Sequence, residues 1–273
     1  MKVLSTYLCL LLLLLSFSSK AQEVNLDSLW GVWNDKTQPD TNRLKAMQRI
    51  AWDGYLFSQP DSAFYFAQKG YDFAEARNNK KWMSNSLNIQ GISFAVRGNY
   101  EKALEYYSKS LEIDKKIGNK KGMGSSYNNI GIIYQEQGNY EKALEYYSKS
   151  LEIRKKLGDK KGIGGSYGNI GVVYDYQGNY EKALEYNLKS LVTKQEIDDK
   201  IGVTICYNNI GIIYQNLGDF EKAFDYYSKS LAINEEIDDK KGTGDSYNNI
   251  GLIYKKLGNY EKALDYLIQS KNI

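Results

Sequence analysis

An eight-residue block, Asn-Tyr-Glu-Lys-Ala-Leu-Glu-Tyr, starts at Asn99, Asn139 and Asn179, each 40 residues after the last. It returns at Asn259 with Asp265 in place of its Glu, and as Asp-Phe-Glu-Lys-Ala-Phe-Asp-Tyr at Asp219. A second block keeps the same step: Tyr127-Asn128-Asn129-Ile130-Gly131, then Tyr167 to Gly171, Tyr207 to Gly211 and Tyr247 to Gly251. Self-similarity at this length constrains the fold more than any other feature of the chain. A unit this short cannot bury an apolar face alone, so it must stack on its neighbours as a solenoid.

Each unit reads as two helices. In the unit near Gly124 to Ile163, Tyr127, Ile130, Ile133 and Tyr134 fall at helical spacing, which predicts a first helix over about Ser125 to Gln137. Gly138 stops it, and Asn139 caps a second helix over about Tyr140 to Leu157. The second helix turns Ala143, Leu144, Tyr147 and Leu151 inward. A helix-interior Gly costs ~1 kcal/mol relative to Ala. Its recurrence with a small partner, as in Gly131/Ala143 and Gly171/Ala183, predicts close approach of Gly to Ala between the paired helices. In Tyr106-Tyr107, Tyr146-Tyr147 and Tyr226-Tyr227, the second Tyr is expected in the core and the first between repeats.

Composition narrows the function. There is no histidine, which removes Ser-His and Cys-His catalytic pairs, histidine zinc sites and the commonest general base. No catalytic, cofactor or metal residue is assigned, and the expectation is a protein that is not an enzyme. Lys and Arg total 36 against 33 Asp and Glu, so there is no basic footprint for nucleic acid. The Lys120-Lys121, Lys160-Lys161 and Lys240-Lys241 pairs are read as exposed connections that supply helix-end charge.

The N-terminus reads as an export signal over residues 1–21. Lys2 is the basic start, Leu8 to Leu15 the apolar run, and Ser19-Lys20-Ala21 the cleavage site ahead of Gln22. The expected location is periplasmic or secreted, with no membrane span in the mature chain. A mature protein whose N-terminal sequence starts at Gln22 is the check. Cleavage would leave Cys206 as a lone cysteine, with no intramolecular disulfide.

The series Tyr127, Ile130, Gly131, Tyr134, Ala143, Tyr147 resembles the tetratricopeptide (TPR) repeat, in the 40-residue variety similar to kinesin light chain repeats. The usual unit has 34 residues and commonly closes with Pro. Here that Pro is absent and the second helix runs on to Leu157. The resemblance implies an all-α, right-handed α-solenoid (superhelix) of helix pairs. Residues 22–43 are a lead-in and 44–83 a degenerate first repeat. The array proper is 84–273, with units starting near 84, 124, 164, 204 and 244, the last incomplete. In the degenerate repeat Ala51 and Gly54 replace the Gly and aromatic of later units, and Trp30, Trp33, Trp52 and Trp82 lie in or beside it. These tryptophans are either the core of a cap or an aromatic recognition patch.

The resemblance also implies a concave groove lined by the first helices. Asn129, Asn169, Asn209 and Asn249 match the family position whose side chain holds peptide backbone, and Ile89 takes that place in the preceding unit. A carboxamide offers donor and acceptor and pairs with a peptide unit without reading its side chain. The competing reading has the same residues bonding between repeats. Selectivity is expected from Gln135, Asp175, Gln215 and Lys255, and from Glu136, Tyr176, Asn216 and Lys256 beside them. The expected partner is a protein or extended peptide, bound by a scaffold or sensory module. The alternative is the sensory N-terminal region of a bacterial signalling protein whose kinase, cyclase or DNA-binding part lies elsewhere. Self-association through the C-terminal end of the array is a third expectation.

Overall fold

The structure is a computed structural model and describes residues 25–273. The expected export signal at Lys2, Leu8 to Leu15 and Ser19 to Ala21 lies outside the described residues. Among the described residues there are thirteen α-helices and no strand. They are α1 (Leu26–Asn34), α2 (Asp40–Arg49), α3 (Pro60–Glu75), α4 (Lys80–Val96), α5 (Tyr100–Ile117), α6 (Lys120–Glu136) and α7 (Tyr140–Leu157). They continue as α8 (Lys160–Tyr176), α9 (Tyr180–Gln195), α10 (Lys200–Asn216), α11 (Phe220–Glu236), α12 (Lys240–Lys256) and α13 (Tyr260–Asn272). The chain divides into two compact units, residues 25–157 and 158–273. Within each, helix pairs follow one another as a stretch of α-solenoid.

Short caps cut these helices. The second helices start where expected, because the side chains of Asn99, Asn139, Asn179, Asp219 and Asn259 each accept from the backbone N–H three residues on. The first helices start earlier than expected, at Lys120 rather than Ser125. Asn119, Asp159, Asp199 and Asp239 cap them in the same way, each accepting from a Gly N–H three residues on. The apolar stripe begins only a turn later, so periodicity alone missed that turn. The Lys120, Lys160 and Lys240 pairs are therefore in first helical turns and not in connections. Positive charge is disfavoured there. Lys160 and Lys200 are offset by Glu196 and Glu236, at 3.0 and 2.7 Å.

At Gly91, Gly131 and Gly211 the recurring Gly packs on an aromatic ring, whereas Gly171 and Gly251 approach the backbone of Ala183 and Ala263, whose carbonyl oxygens would lie 3.3 and 3.2 Å from an added Cβ. A Cβ built at Gly131 would lie 2.7 Å from Cδ1 and Cε1 of Tyr147, and one at Gly211 2.6 Å from Cε1 of Tyr227. Tyr107, Tyr147 and Tyr227 are at most 2% exposed, as the second member of each pair should be. Tyr146 and Tyr226 stack within their own repeats, whereas Tyr106 also meets Phe64 of the preceding repeat, at 5.8 Å. Tyr146 lies 5.5 Å from Tyr134 and Tyr226 5.6 Å from Tyr214, with rings near parallel. Lys142 and Lys149 flank the Tyr134–Tyr146 stack, each 4.9 Å from a ring centroid.

At the start of unit 25–157 the helix of α2 runs on as one π-helical turn, Ile50–Tyr55. Gly54, standing where later units carry an aromatic, seats the side chain of Leu26 from α1. Trp30 packs on Phe66 and Trp33 on Phe73, at 5.3 and 5.0 Å, and all four tryptophans are half-buried. This is packing of a cap, which a terminal repeat needs.

Buried serines tie the paired helices. Ser150 Oγ donates to the Gly124 carbonyl and Ser190 Oγ to that of Gly164, both at 2.8 Å. In unit 158–273 the core runs from Leu191, Val203, Cys206 and Ile210 to Ala223, Tyr227, Ile250 and Ile253.

Candidate functional site

The carboxamide series sits at one register on successive first helices. In unit 25–157, Asn129 on α6 is half-buried, and its Nδ2 donates to Asn88 Oδ1 at 3.0 Å. In unit 158–273, Asn209 on α10 donates through Nδ2 to Asn187 Oδ1 at 3.2 Å. Asn187 is fully buried where other repeats carry Tyr147 or Tyr227, and itself donates to the Ala183 carbonyl at 2.9 Å. Asn169 is only 4% exposed. Asn249 is half-buried and makes no side-chain hydrogen bond. In Asn129 and Asn209 the amide is held from the donor side, while Oδ1 is unbonded and not buried.

The neighbouring series is not uniformly a selectivity position. Gln135 is buried and accepts from the Tyr147 hydroxyl at 2.9 Å, and Gln215 accepts from the Tyr227 hydroxyl at 3.3 Å. These glutamines satisfy buried phenols. Where the second helix carries Asn187 or Leu267 in place of Tyr, the first carries Asp175 or Lys255 instead of Gln. From the unit near 124 onward that pairing is readable at the 12-residue separation by comparing repeats at both positions together, whereas the earlier Tyr107 stands opposite Ala95.

The first helices also carry acids out of their usual range. Burial pushes the Glu136 carboxyl up to about 7. Burial raises Asp175, against a hydrogen bond donated by Asn216 Nδ2 at 3.2 Å, and burial likewise raises Asp245. A raised acid holds its proton more tightly folded than unfolded, so its contribution declines as pH climbs from 4.5 to about 7. Glu136→Gln should therefore raise the unfolding free energy above about pH 7 and change it little near pH 4.5. Allowing for its partial exposure, the gain is about 1–2 kcal/mol. A urea midpoint shift equal at both pH values would refute this.

Among the described residues no cluster of His, Cys, Asp and Glu could hold a metal ion, and no helix is long and apolar enough to cross a membrane. Cys206 is buried, and burial raises its thiol, leaving little nucleophilic thiolate.

The sequence matches the tetratricopeptide repeat family over residues 82–156, 122–195 and 203–273, well over half of its length. The chain belongs to the tetratricopeptide repeat family. A search of curated proteins returns no match to the repeat protein. Among solved structures it is similar to BtubC (BKLC) from P. vanneervenii, at 20% identity and TM-score 0.68, covering 79% of this chain and 91% of that one. It is similar to a signal transduction ATPase with numerous domains, carrying a tetratricopeptide repeat sensor, from Pyrococcus horikoshii. There the identity is 24% and the TM-score 0.66, over 83% of this chain and 37% of that one. A kinesin light chain-like repeat protein from Podosopora anserina gives 15% identity and TM-score 0.58, over 71% of this chain and 95% of that one. At these identities the likeness is one of fold.

Proposed function

We propose that this repeat protein is a non-catalytic module that binds an extended segment of a partner protein along its first helices. Asn129, Asn209 and Asn249 are its backbone-reading positions, and the nearly buried Asn169 supports the series at the same register. The observation that carries the reading is the state of Asn129 and Asn209, each oriented by a neighbour through Nδ2 with Oδ1 unbonded. An acceptor fixed in this way is prepared to take a peptide N–H without first losing side-chain freedom. The half-buried acids Asp175 and Asp245 add selectivity for a segment with basic residues. The same mechanism serves a scaffold or a sensory module, and the sensor named in the Pyrococcus ATPase makes the sensory use a natural second case. With the export signal read from the sequence at residues 1–21, we put the binding event outside the cytoplasm.

Asn249 separates binding from folding, because its side chain bonds nothing among the described residues. Peptides selected on the full-length protein from a random library should lose roughly fivefold in affinity with Asn249→Ala, as one hydrogen bond is worth ~1 kcal/mol. Thermal stability should be unchanged. Asn209→Ala should weaken both binding and stability, because it also strips Asn187 of its donor. Selected peptides that bind both variants as tightly as the parent would move the site off this series.

A further inference from the structure

One junction of the array breaks the repeat's own rule, and a cavity opens there. Where later repeats carry Tyr127, Tyr167, Tyr207 and Tyr247, the first carries Leu87. Where they carry Ile130, Ile170, Ile210 and Ile250, it carries Gln90. Where the second helices from this repeat onward carry Leu111, Leu151, Leu191 and Leu231, that of the degenerate repeat before it carries Tyr71. These three exceptions converge. All of them line one cavity of about 450 Å³ between α3, α4 and α5, within unit 25–157.

In later repeats the missing ring is present. Tyr127 lies 6.0 Å from Tyr146, and Tyr207 5.9 Å from Tyr226. Leu87 beside Tyr106 is too small to replace it, so the space stays open. At the floor, Gln90 is fully buried, and its Nε2 donates to Gln68 Oε1 at 2.7 Å. Its Oε1 has no partner. A buried unpaired carboxamide oxygen is destabilising, and the Ile found in every later unit would avoid that cost.

We propose that this cavity is a binding site for a small neutral carbohydrate. The volume falls in the range of small-ligand sites, ~300–1,000 Å³. The unpaired Oε1 calls for an O–H or N–H donor. Tyr71, Tyr106 and Leu87 offer ring and aliphatic surface to the C–H face of a sugar. The rim cations are already neutralised, with Lys109 on Glu105 and Lys116 on Glu112, both at 2.6 Å. A charged ligand would therefore meet no unpaired counter-charge. This site is separate from the asparagine series and does not depend on it.

The test is saturation-transfer NMR on the full-length protein with glucose, galactose, N-acetylglucosamine and maltose as probes. Transfer to at least one sugar is expected. Leu87→Tyr and Gln90→Ile each restore the residue of the later repeats, so both should fold, with melting temperatures at or above that of the parent. Leu87→Tyr should abolish transfer by filling the space. Gln90→Ile should weaken binding about tenfold through the lost acceptor. No transfer to any of the four sugars would overturn the proposal, as would transfer surviving both variants. If Leu87→Tyr fails to fold, Gln90→Ile alone decides.

Discussion

Tyr147→Ala lowers the stability of the helix pair α6–α7 by about 3–5 kcal/mol, the usual cost of truncating a buried aromatic. Tyr147 is among the largest side chains with no exposed surface. It fills the space left by the missing Cβ of Gly131 on the facing helix. Its hydroxyl donates to Gln135 Oε1 at 2.9 Å, and Gln135 Nε2 is already buried without a partner. Truncation therefore adds an unpaired oxygen to a cavity. Tyr147→Phe isolates the polar part and should cost only ~1–3 kcal/mol. In a solenoid each unit leans on its neighbours alone, so the loss should be local. Hydrogen exchange should quicken most across residues 120–157. Protection unchanged there in Tyr147→Ala would show that the ring does not hold the pair together.

Gly131→Leu should destabilise by about 1–2 kcal/mol. Two effects oppose each other. Leu is the better helix former by ~0.8 kcal/mol. Against that, its Cβ alone would lie 2.7 Å from two atoms of a fully buried ring, and its remaining carbons have no free space to enter. Overpacking of this kind costs ~1–3 kcal/mol and occasionally more, so it wins. The two substitutions should couple. In a Tyr147→Ala background the new Leu enters the space vacated by the ring. The double variant should then be more stable than the sum of the singles by ~1–3 kcal/mol. Strict additivity in urea melts would deny the contact.

The carboxamide series shows how far residue type can be read without geometry. Asn129 and its equivalents stood out because they recur, and recurrence is visible in one dimension. What they bond to is not. Asn129 takes Asn88 from the preceding first helix, whereas Asn209 takes Asn187 from a second helix. The two choices differ because Gly168 stands where Asn209 would find the equivalent of Asn88, while Asn187, in place of Tyr, offers an oxygen instead. Gln135 looked like a variable groove residue for the same reason, since its role depends on the Tyr147 hydroxyl opposite.

The chain's own sequence determined the repeat length, the all-α class, the starts of the second helices and the buried Tyr of each pair. All of these follow from local chemistry repeated at a fixed step: Asn and Asp caps, left-handed Gly such as Gly118 at φ 67°, and apolar residues at helical spacing. Tertiary structure alone decided what each of these residues meets. Gly131, expected to face a small Ala, receives a ring, because side chains lean back along the helix and bring the residue four past that Ala onto it, whereas Gly171 and Gly251 keep the Ala backbone within reach. The first helices gained an extra turn because their caps lie outside the apolar stripe. Leu87, Gln90 and Tyr71 are unremarked singly and lie on two helices. Only the packing of α3, α4 and α5 brings them around one cavity.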